Sequence, residues 1–378
     1  MPWKEVSTMS LRQEFVLLAD VEVSNMSQLC QRFGLSRKTG YKWLARYRKS
    51  GSPGLEDQPR RPHDSPSRTE EAIESEVLKV RGLHPSWGGR KIRARLVTLG
   101  HPQVPSASTI TQILRRHGCI DPVASAQHTP WQRFEHEAPN RLWQMDFKGH
   151  FRIETGKRCH PLTMLDDHSR FSPCVKACAD EQGDTVQDAM TAVFRRYGLP
   201  DRMTMDHGAP WGSDQDHPYT PLTVWLIHLG IKVGHSRPYH PQTQGKDERF
   251  HRTLKLELLT RHSFRDLHHC QTAFDRWRDI YNLERPHEAL SMATPASRYR
   301  PSHRAFPERL PPIEYSPGDI VRKVQGKGDI SYRGKVILLS KAFHGYQVAL
   351  RPTLNEGRFD VYFCQQQIRE IDLNETIR

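Results

Sequence analysis

Residues 141–153 read RLWQMDFKGHFRI, and their alternation decides the fold. Trp143, Met145 and Phe147 fall on one side and Gln144, Asp146 and Lys148 on the other, the period of two expected of a half-buried strand. Asp146 is thereby placed on a rigid strand. Outward from it, HPLTMLDDHSRFSPCVKA (160–177) reads as two more strands joined by a turn at Asp166–Ser169. DTVQDAMTAVFRRYG (184–198) is an amphipathic helix with Val186, Met190, Val193 and Tyr197 inward and Gly198 as its stop. DRMTMDH (201–207) gives a fourth strand, and TPLTVWLIHLG (220–230) a helix opened by Thr220 and Pro221. IKVGHS (231–236) gives a fifth strand, and a basic helix follows from Gly245. A further helix over 264–282 carries Leu267, Phe274, Trp277 and Tyr281 at burial spacing. This succession predicts a mixed-sheet α/β core over residues 138–300.

The flanks have other periods. In residues 1–56, SLRQEFVLLAD places Leu11, Phe15 and Leu18 on one helical face. Ser27 is set to cap a short helix bearing Leu29 and Phe33, Gly34 supplies a turn, Leu35 packs inward and Ser36 caps the next helix. That helix offers Tyr41, Leu44 and Tyr47 or Trp43 to a core and is basic outside, a helix-turn-helix domain. Residues 57–68, rich in Pro, Gly, Ser and charge, read as a linker. Residues 69–122 hold three helical segments, with Ile73, Val77 and Val80 inward in the first and Ser106 or Ser108 capping the third, a second helix-turn-helix-like domain. Past a Pro-rich stretch, residues 315–373 are short strands with Gly turns, a small β-barrel. The expected fold class is multidomain: N-terminal all-α helix-turn-helix units, an α/β core and a C-terminal small β-barrel.

The chain has 378 residues, with 36% hydrophobic and 26% charged, which predicts a folded chain of several domains. It has no apolar run long enough to span a bilayer, and its first residues lack the apolar stretch of a secretory signal. Seven cysteines occur without a C-x-x-C pair, which fits a reducing compartment and neither a disulfide framework nor a cysteine zinc site. The formal net charge of +13 favours polyanionic partners. Residues 1–122 hold 20 Lys+Arg against 12 Asp+Glu, so the excess is densest there.

Asp146 on a strand, Asp206 at a strand end and Glu248 on the basic helix form a candidate constellation of hard oxygen donors for Mg²⁺. Each taken alone is more commonly a solvated charge. Three segments change that balance: WQMDFKG (143–149), MDHGAPW (205–211) and SRPYHPQTQGKDERFHRTLK (236–255). With LDDHSRF (165–171) and YNLERPHEALSMATPASRY (281–299), they resemble the catalytic core of insertion-sequence DDE transposases, which are retroviral-integrase-like. The resemblance implies an RNase H-like core. It assigns Asp146, Asp206 and Glu248 as catalytic residues and metal ligands for two Mg²⁺ ions, with Mn²⁺ able to substitute. It leaves Asp247 at a variable position. It implies a DNA transposase that cleaves element ends and joins them to target DNA.

Expected DNA contacts are Arg37, Lys38, Thr39, Tyr41, Lys42 and Arg46 in the first helix-turn-helix and Arg90 and Lys91 in the second. In the core they are Arg237, His240, Gln242, Lys246, Arg249, Arg252 and Lys255, with Trp211 a candidate stacking residue or a core tryptophan. Asp166 and Asp167 are read as structural, and Asp214 and Asp216 as bystanders. Double-stranded DNA, a homo-oligomer on it and a cytoplasmic, nucleoid-associated bacterial setting follow from the same resemblance. Two departures stand out. His207 occupies the position usually held by Asn after the second aspartate, and Glu248 lies 42 positions after Asp206, farther than in many relatives. Competing readings are a DNA-binding regulator that kept the fold, and a structure-specific nuclease.

Overall fold

The computed structural model describes residues 8–21, 24–57, 69–120, 136–212, 218–235 and 241–374. The chain forms two compact units, residues 1–68 and 69–378.

The first unit holds α1 (Thr8–Ala19), α2 (Met26–Arg32) and α3 (Arg37–Ser50). Phe15, Val16 and Ala19 of α1 are buried, whereas Leu11 and Leu18 are exposed. The buried face is thus turned from the expected Leu11–Phe15–Leu18 stripe, because Phe15 and Val16 together meet Cys30, Trp43 and Leu44. Asn25, not Ser27, caps α2: its side chain accepts from the backbone N–H groups of Ser27 and Gln28. Ser36 caps α3, accepting from Thr39 N at 3.2 Å. Trp43 and Leu44 enter the core, and Tyr41 is exposed. Gly40 has to be glycine, since a Cβ there would meet Cys30 Sγ at 2.6 Å and Phe15 at 2.8 Å.

The second unit begins with three helices, α4 (Glu71–Leu83), α5 (Gly89–Thr98) and α6 (Ala107–Arg116), around Val77, Trp87, Ile92, Leu96, Ile110 and Leu114. Ser106 is the cap of α6. The α/β core follows, with strands β1 (Trp143–Phe147), β2 (Phe151–Arg152), β3 (Arg158–Asp166), β4 (Cys174–Cys178), β5 (Arg202–Met205) and β6 (Lys232–His235). Its helices are α7 (Gly183–Tyr197), α8 (Pro221–His228), α9 (Pro241–Leu254) and α10 (Leu267–Asp279). The sheet runs β2-β3-β1-β5-β6, with β4 also on β3. β3 is antiparallel to β1 and β4, and β1, β5 and β6 are parallel. Apart from two-residue β2, absent from the sequence reading, this is an antiparallel meander extended by two parallel crossover strands, the RNase H-like arrangement.

The period of two sorts the sheet's faces. Trp143, Met145, Leu162 and Met164 join α7 and α8 in one apolar layer. Leu165 and Val175 join Phe250, Leu254, Phe274 and Trp277 of α9 and α10 in the other. Gln144 and Asp146 alternate away from Trp143 and Met145, toward the α9 side. Thr220 caps α8 in a reciprocal pair with Thr223, and Gly198 ends α7 with φ 77°. Helix α9 starts at Pro241, so Gly245 lies inside it and Glu248 in its second turn. The strand-rich C-terminal region is a four-stranded antiparallel sheet, β12-β11-β10-β7, plus the hairpin β8–β9. These are β7 (Ile320–Lys323), β8 (Asp329–Tyr332), β9 (Lys335–Leu338), β10 (Gln347–Pro352), β11 (Arg358–Phe363) and β12 (Gln366–Asp372). They enclose Ile330, Val348, Leu350, Val361 and Phe363, and this core continues into Val224 and Ile227 of α8.

Candidate active site

β1 and β5 are parallel neighbours, with Gln144 opposite Thr204. Two residues further along each strand come Asp146 and Asp206, so the register delivers both carboxylates to the same end of the sheet. The Asp146 carboxyl is pushed up to about 6, first by burial and then by the charge of Asp206, with Phe147 N–H opposing. Asp206 Oδ1 accepts from Gly208 N at 3.1 Å, and its carbonyl lies 2.8 Å from His235 Nδ1. The rings of His207 and His235 stack at 4.9 Å between centroids. His207 is therefore packed beside Asp206 as part of a histidine pair.

Helix α9 runs along the Asp146 face. Asp247 points inward and is 7% exposed, while Glu248 is exposed. Burial raises the Asp247 carboxyl well above its usual range, reinforced by Asp146 and Asp167 and opposed by Lys246. Glu248 makes no ion pair with Arg252 or with any other described residue. Among the described residues no three His, Cys, Asp or Glu side chains are grouped closely enough to hold a metal ion. Asp146 and Asp206 are thus brought together, and Glu248 stands apart on the solvent side of the adjacent helix. The Asp146–Asp206 pair nonetheless suits a divalent cation, because two mutually repelling carboxylates are relieved by a hard positive ion.

His251, one turn beyond Asp247, is buried against this strand. Its Nδ1 is 3.8 Å from Asp146 Oδ2 and its Nε2 is 2.7 Å from Thr163 Oγ1. Thr163 in turn donates to the Asp146 carbonyl at 3.0 Å. Burial, aided by Lys148, lowers the imidazole to about 3, so the ring is neutral. Asp167 accepts from Gln144 Nε2 at 3.1 Å and His136 N at 2.9 Å, and it pairs with Lys246. Asp166 accepts from Asn140 N, Ser169 N and Ser169 Oγ. Both aspartates therefore brace the turn after β3.

The expected DNA contacts divide by position. Arg249, Arg252 and Lys255 are exposed along α9 and its continuation, whereas Lys246 is committed to Asp167 instead of reaching solvent. Arg37, Lys38, Tyr41 and Lys42 are exposed on α3. Thr39 is half-buried with its hydroxyl on Ser36, and Arg46 lies 5.1 Å from the Trp43 ring. Arg90 pairs with Glu288 at 3.2 Å. Lys91 is lowered to about 8 by burial against the core, with Arg285 adding to the shift. Arg237, His240, Asp214 and Asp216 fall outside the described residues, as does the side chain of Gln242. Trp211 is 1% exposed and stacks on Phe147, so it is a core tryptophan and unavailable to a base.

Sequence reasoning missed the hub at Glu257. Its carboxylate accepts from Ser86 Oγ at 2.9 Å, Trp277 Nε1 at 3.2 Å and Arg285 Nε at 3.0 Å. Asn282 exchanges two hydrogen bonds with the Ser172 backbone at 2.8 and 2.9 Å. The segment YNLERPH is thus a clamp joining the helical unit of residues 69–120, the core turn and α9. His251 was missed as well, though it lies on the buried side of α9, i+4 from Asp247 and i+3 from Glu248.

Residues 136–241 and 229–295 match models of the integrase core domain, and residues 319–377 match the C-terminal domain of IS481 family transposases. Residues 11–63 match a helix-turn-helix domain and 39–114 a homeodomain-like domain. The chain therefore has an integrase core between helix-turn-helix elements and a transposase C-terminal domain, as its motifs imply. It is similar to an uncharacterized 31.7 kDa protein of insertion element IS407 from Burkholderia multivorans, with 28% identity over 44% of this chain and 58% of that protein. It is also similar to an uncharacterized 39.2 kDa protein of insertion element IS476 from Xanthomonas euvesicatoria, with 24% identity over 61% of this chain and 65% of that protein. It thus spans less than two thirds of either relative. Among solved structures, one chain of the simian T-cell lymphotropic virus intasome in complex with the PP2A regulatory subunit B56 gamma matches at 16% identity. That match covers 78% of this chain and 99% of that one at a TM-score of 0.37. The HTLV-2 integrase catalytic core domain in complex with magnesium matches at 17% identity over 43% of this chain and 97% of that one, at a TM-score of 0.33. No helix among the described residues is long and apolar enough to cross a membrane.

Proposed function

We propose that this chain is a DNA transposase that cuts the ends of a mobile element and joins their 3′ ends to target DNA. The observation that carries the reading is the Gln144–Thr204 register of the parallel strands β1 and β5, which brings Asp146 in β1 and Asp206 just past the end of β5 to one end of the sheet, on which the helix bearing Glu248 packs. In this reading Asp146, Asp206 and Glu248 hold two Mg²⁺ ions, or Mn²⁺ in their place. The bound ions would acidify the attacking hydroxyl and stabilise the leaving 3′-oxygen. In this reading the Glu248 carboxylate would have to turn inward from its exposed position to join the other two. Asp146 is fixed by its strand, and the neutral His251 keeps one side of it dry. Arg249, Arg252 and Lys255 line up along α9 to meet DNA phosphates.

The chain's parts then take separate roles: residues 1–56 and 69–122, joined by the linker at 57–68, on element ends, 138–300 for chemistry, and 315–373 as an accessory strand-rich domain. Paired ends call for at least two copies on double-stranded DNA, in a bacterial nucleoid. The test is cleavage and strand transfer on labelled duplex carrying the DNA that borders the gene, with Mg²⁺ or Mn²⁺. Metal-dependent cutting and joining should be lost in Glu248→Gln with DNA binding intact, and should persist in Asp247→Asn. Loss in Asp247→Asn but not in Glu248→Gln would reassign the third carboxylate. Cutting without joining would leave a nuclease, and binding without chemistry a regulator.

A further inference from the structure

The helical unit of residues 69–120 segregates its charge. Its acidic residues, Glu70, Glu71, Glu74 and Glu76, lie at or in α4, and residues 84–120 contain six Lys+Arg and no acid. Three of those six face the core. Arg90 pairs with Glu288, Arg95 with Glu284 at 2.6 Å, and Lys91 is buried near Glu257 and Glu288. Helix α5 is therefore a docking helix: of the two DNA contacts expected on it, Lys91 is buried and Arg90, exposed at the surface, is engaged by Glu288.

Helix α6 is arranged differently. Ile110, Ile113 and Leu114 pack inward, while Ser108, Thr109, Gln112 and Arg115 are exposed along the opposite face, and Arg116 at its margin pairs with the buried Glu74 of α4. Ser108, Gln112 and Arg115 are spaced i, i+4, i+7, one continuous stripe. Arg115 forms no ion pair among the described residues. The start of α6 is fixed on the start of α5 at Gly89, where a Cβ would collide with the Ala107 carbonyl and Thr111 Oγ1. In three-helix DNA-binding units the third helix enters the major groove, which is wide enough for one helix. Gln and Arg are the residue types that pair bidentately with adenine and guanine.

We propose that α6 reads duplex DNA through Ser108, Thr109, Gln112 and Arg115, while α5 holds it at a fixed angle to the catalytic core. The inference rests on the proposed binding of element ends by the helical units. It goes further by naming the second reading element and giving its neighbour a docking role.

The full chain is used to select binders from a randomised duplex library, and the enriched motif is sequenced. The wild-type protein should yield two separate blocks of specified bases. Gln112→Ala with Arg115→Ala should erase one block, keep the other, and weaken binding to the wild-type motif by roughly 10- to 100-fold. Both side chains are exposed, so the variant should melt with the wild type. Gln112→Arg should retain the block and change its preferred base at one position. An unchanged motif in both variants, or a loss of affinity spread evenly over all sequences, overturns the assignment of α6 alone. A wild-type chain that selects no motif overturns end recognition by the helical units, and this inference with it.

Discussion

The imidazole of His251 bridges two strands: its Nε2 meets Thr163 Oγ1 at 2.7 Å and its Nδ1 faces Asp146 Oδ2 at 3.8 Å. The Thr163 hydroxyl gives its one proton to the Asp146 carbonyl. Nε2 must then carry the ring proton, leaving the Nδ1 lone pair toward the carboxylate. The ring thus packs beside Asp146 and supports its strand through Thr163, and it gives the ionised carboxylate neither a proton nor a hydrogen bond. His251→Ala should raise the Mg²⁺ concentration needed for half-maximal strand transfer by roughly 10-fold, and His251→Asn should recover part of that. Because the ring is neutral down to about 3, the pH profile of the reaction between 5 and 8 (roughly the range where an unperturbed histidine titrates) should show no His251 transition. Metal titration at fixed pH checks the first outcome and a pH–rate profile the second.

Asp247 is a buried acid on the inner face of α9, next to Asp146 and Asp167. Its native proton affinity is raised above the unfolded value. Well below the ordinary aspartate range both states are protonated and nothing is lost. As pH rises, the unfolded chain ionises while the native state resists, so native stability falls. Asp247→Asn removes that penalty. Thermal melts should show the variant gaining on the wild type as pH goes from about 4 to 8, on the order of a few degrees at the upper end. A constant difference across that range would mean that Asp247 does not titrate differently on folding.

Gly89 permits the close crossing of α5 and α6. Gly89→Ala would drive a methyl into the Ala107 backbone carbonyl, which cannot yield as a side-chain tip could. A loss of about 1–3 kcal/mol in chemical denaturation is expected. Gly82→Ala, inside α4 with open space around its Cβ position, should instead be neutral or gain about 0.5–1 kcal/mol.

The strand that carries Asp146 was legible because period-two alternation is a local property of seven residues. The order of strands and helices followed from it, as did the caps at Ser36, Thr220 and Gly198. What could not be read was which side of a helix meets which partner. In α1 the apolar residues outnumber the buried positions, so Leu11 and Leu18 competed with Val16 and Ala19 and only packing decided. In α5 the basic residues resemble a DNA-binding face until Glu284 and Glu288, about 190 residues away, are seen opposite them. The same holds for Lys246, whose partner Asp167 is 79 residues distant. Charge pattern shows that a cation needs an anion, and only the fold shows whether that anion is a phosphate or a carboxylate.

Glu257 and Arg285 are each 10% exposed at the side chain and joined at 3.0 Å. Glu257 also serves Ser86 and Trp277, so it ties the helical unit to both α10 and the turn that follows α9. Removing one partner of a buried pair leaves the other charged in a poorly solvated place, which costs more than the pair itself contributes. Arg285→Ala should therefore destabilise the second unit by about 3–5 kcal/mol, whereas Ser86→Ala should cost about 1 kcal/mol. The two effects should not add, since both act on the same carboxylate. Denaturant melts of the two single variants and the double variant measure this directly. Limited proteolysis adds a local readout, because weakening this joint should make the segment between α4 and α5, which carries Ser86, cleavable before the sheet unfolds. Early cleavage within β1 or β5 instead would place the weak point in the sheet and remove the hub from its proposed role.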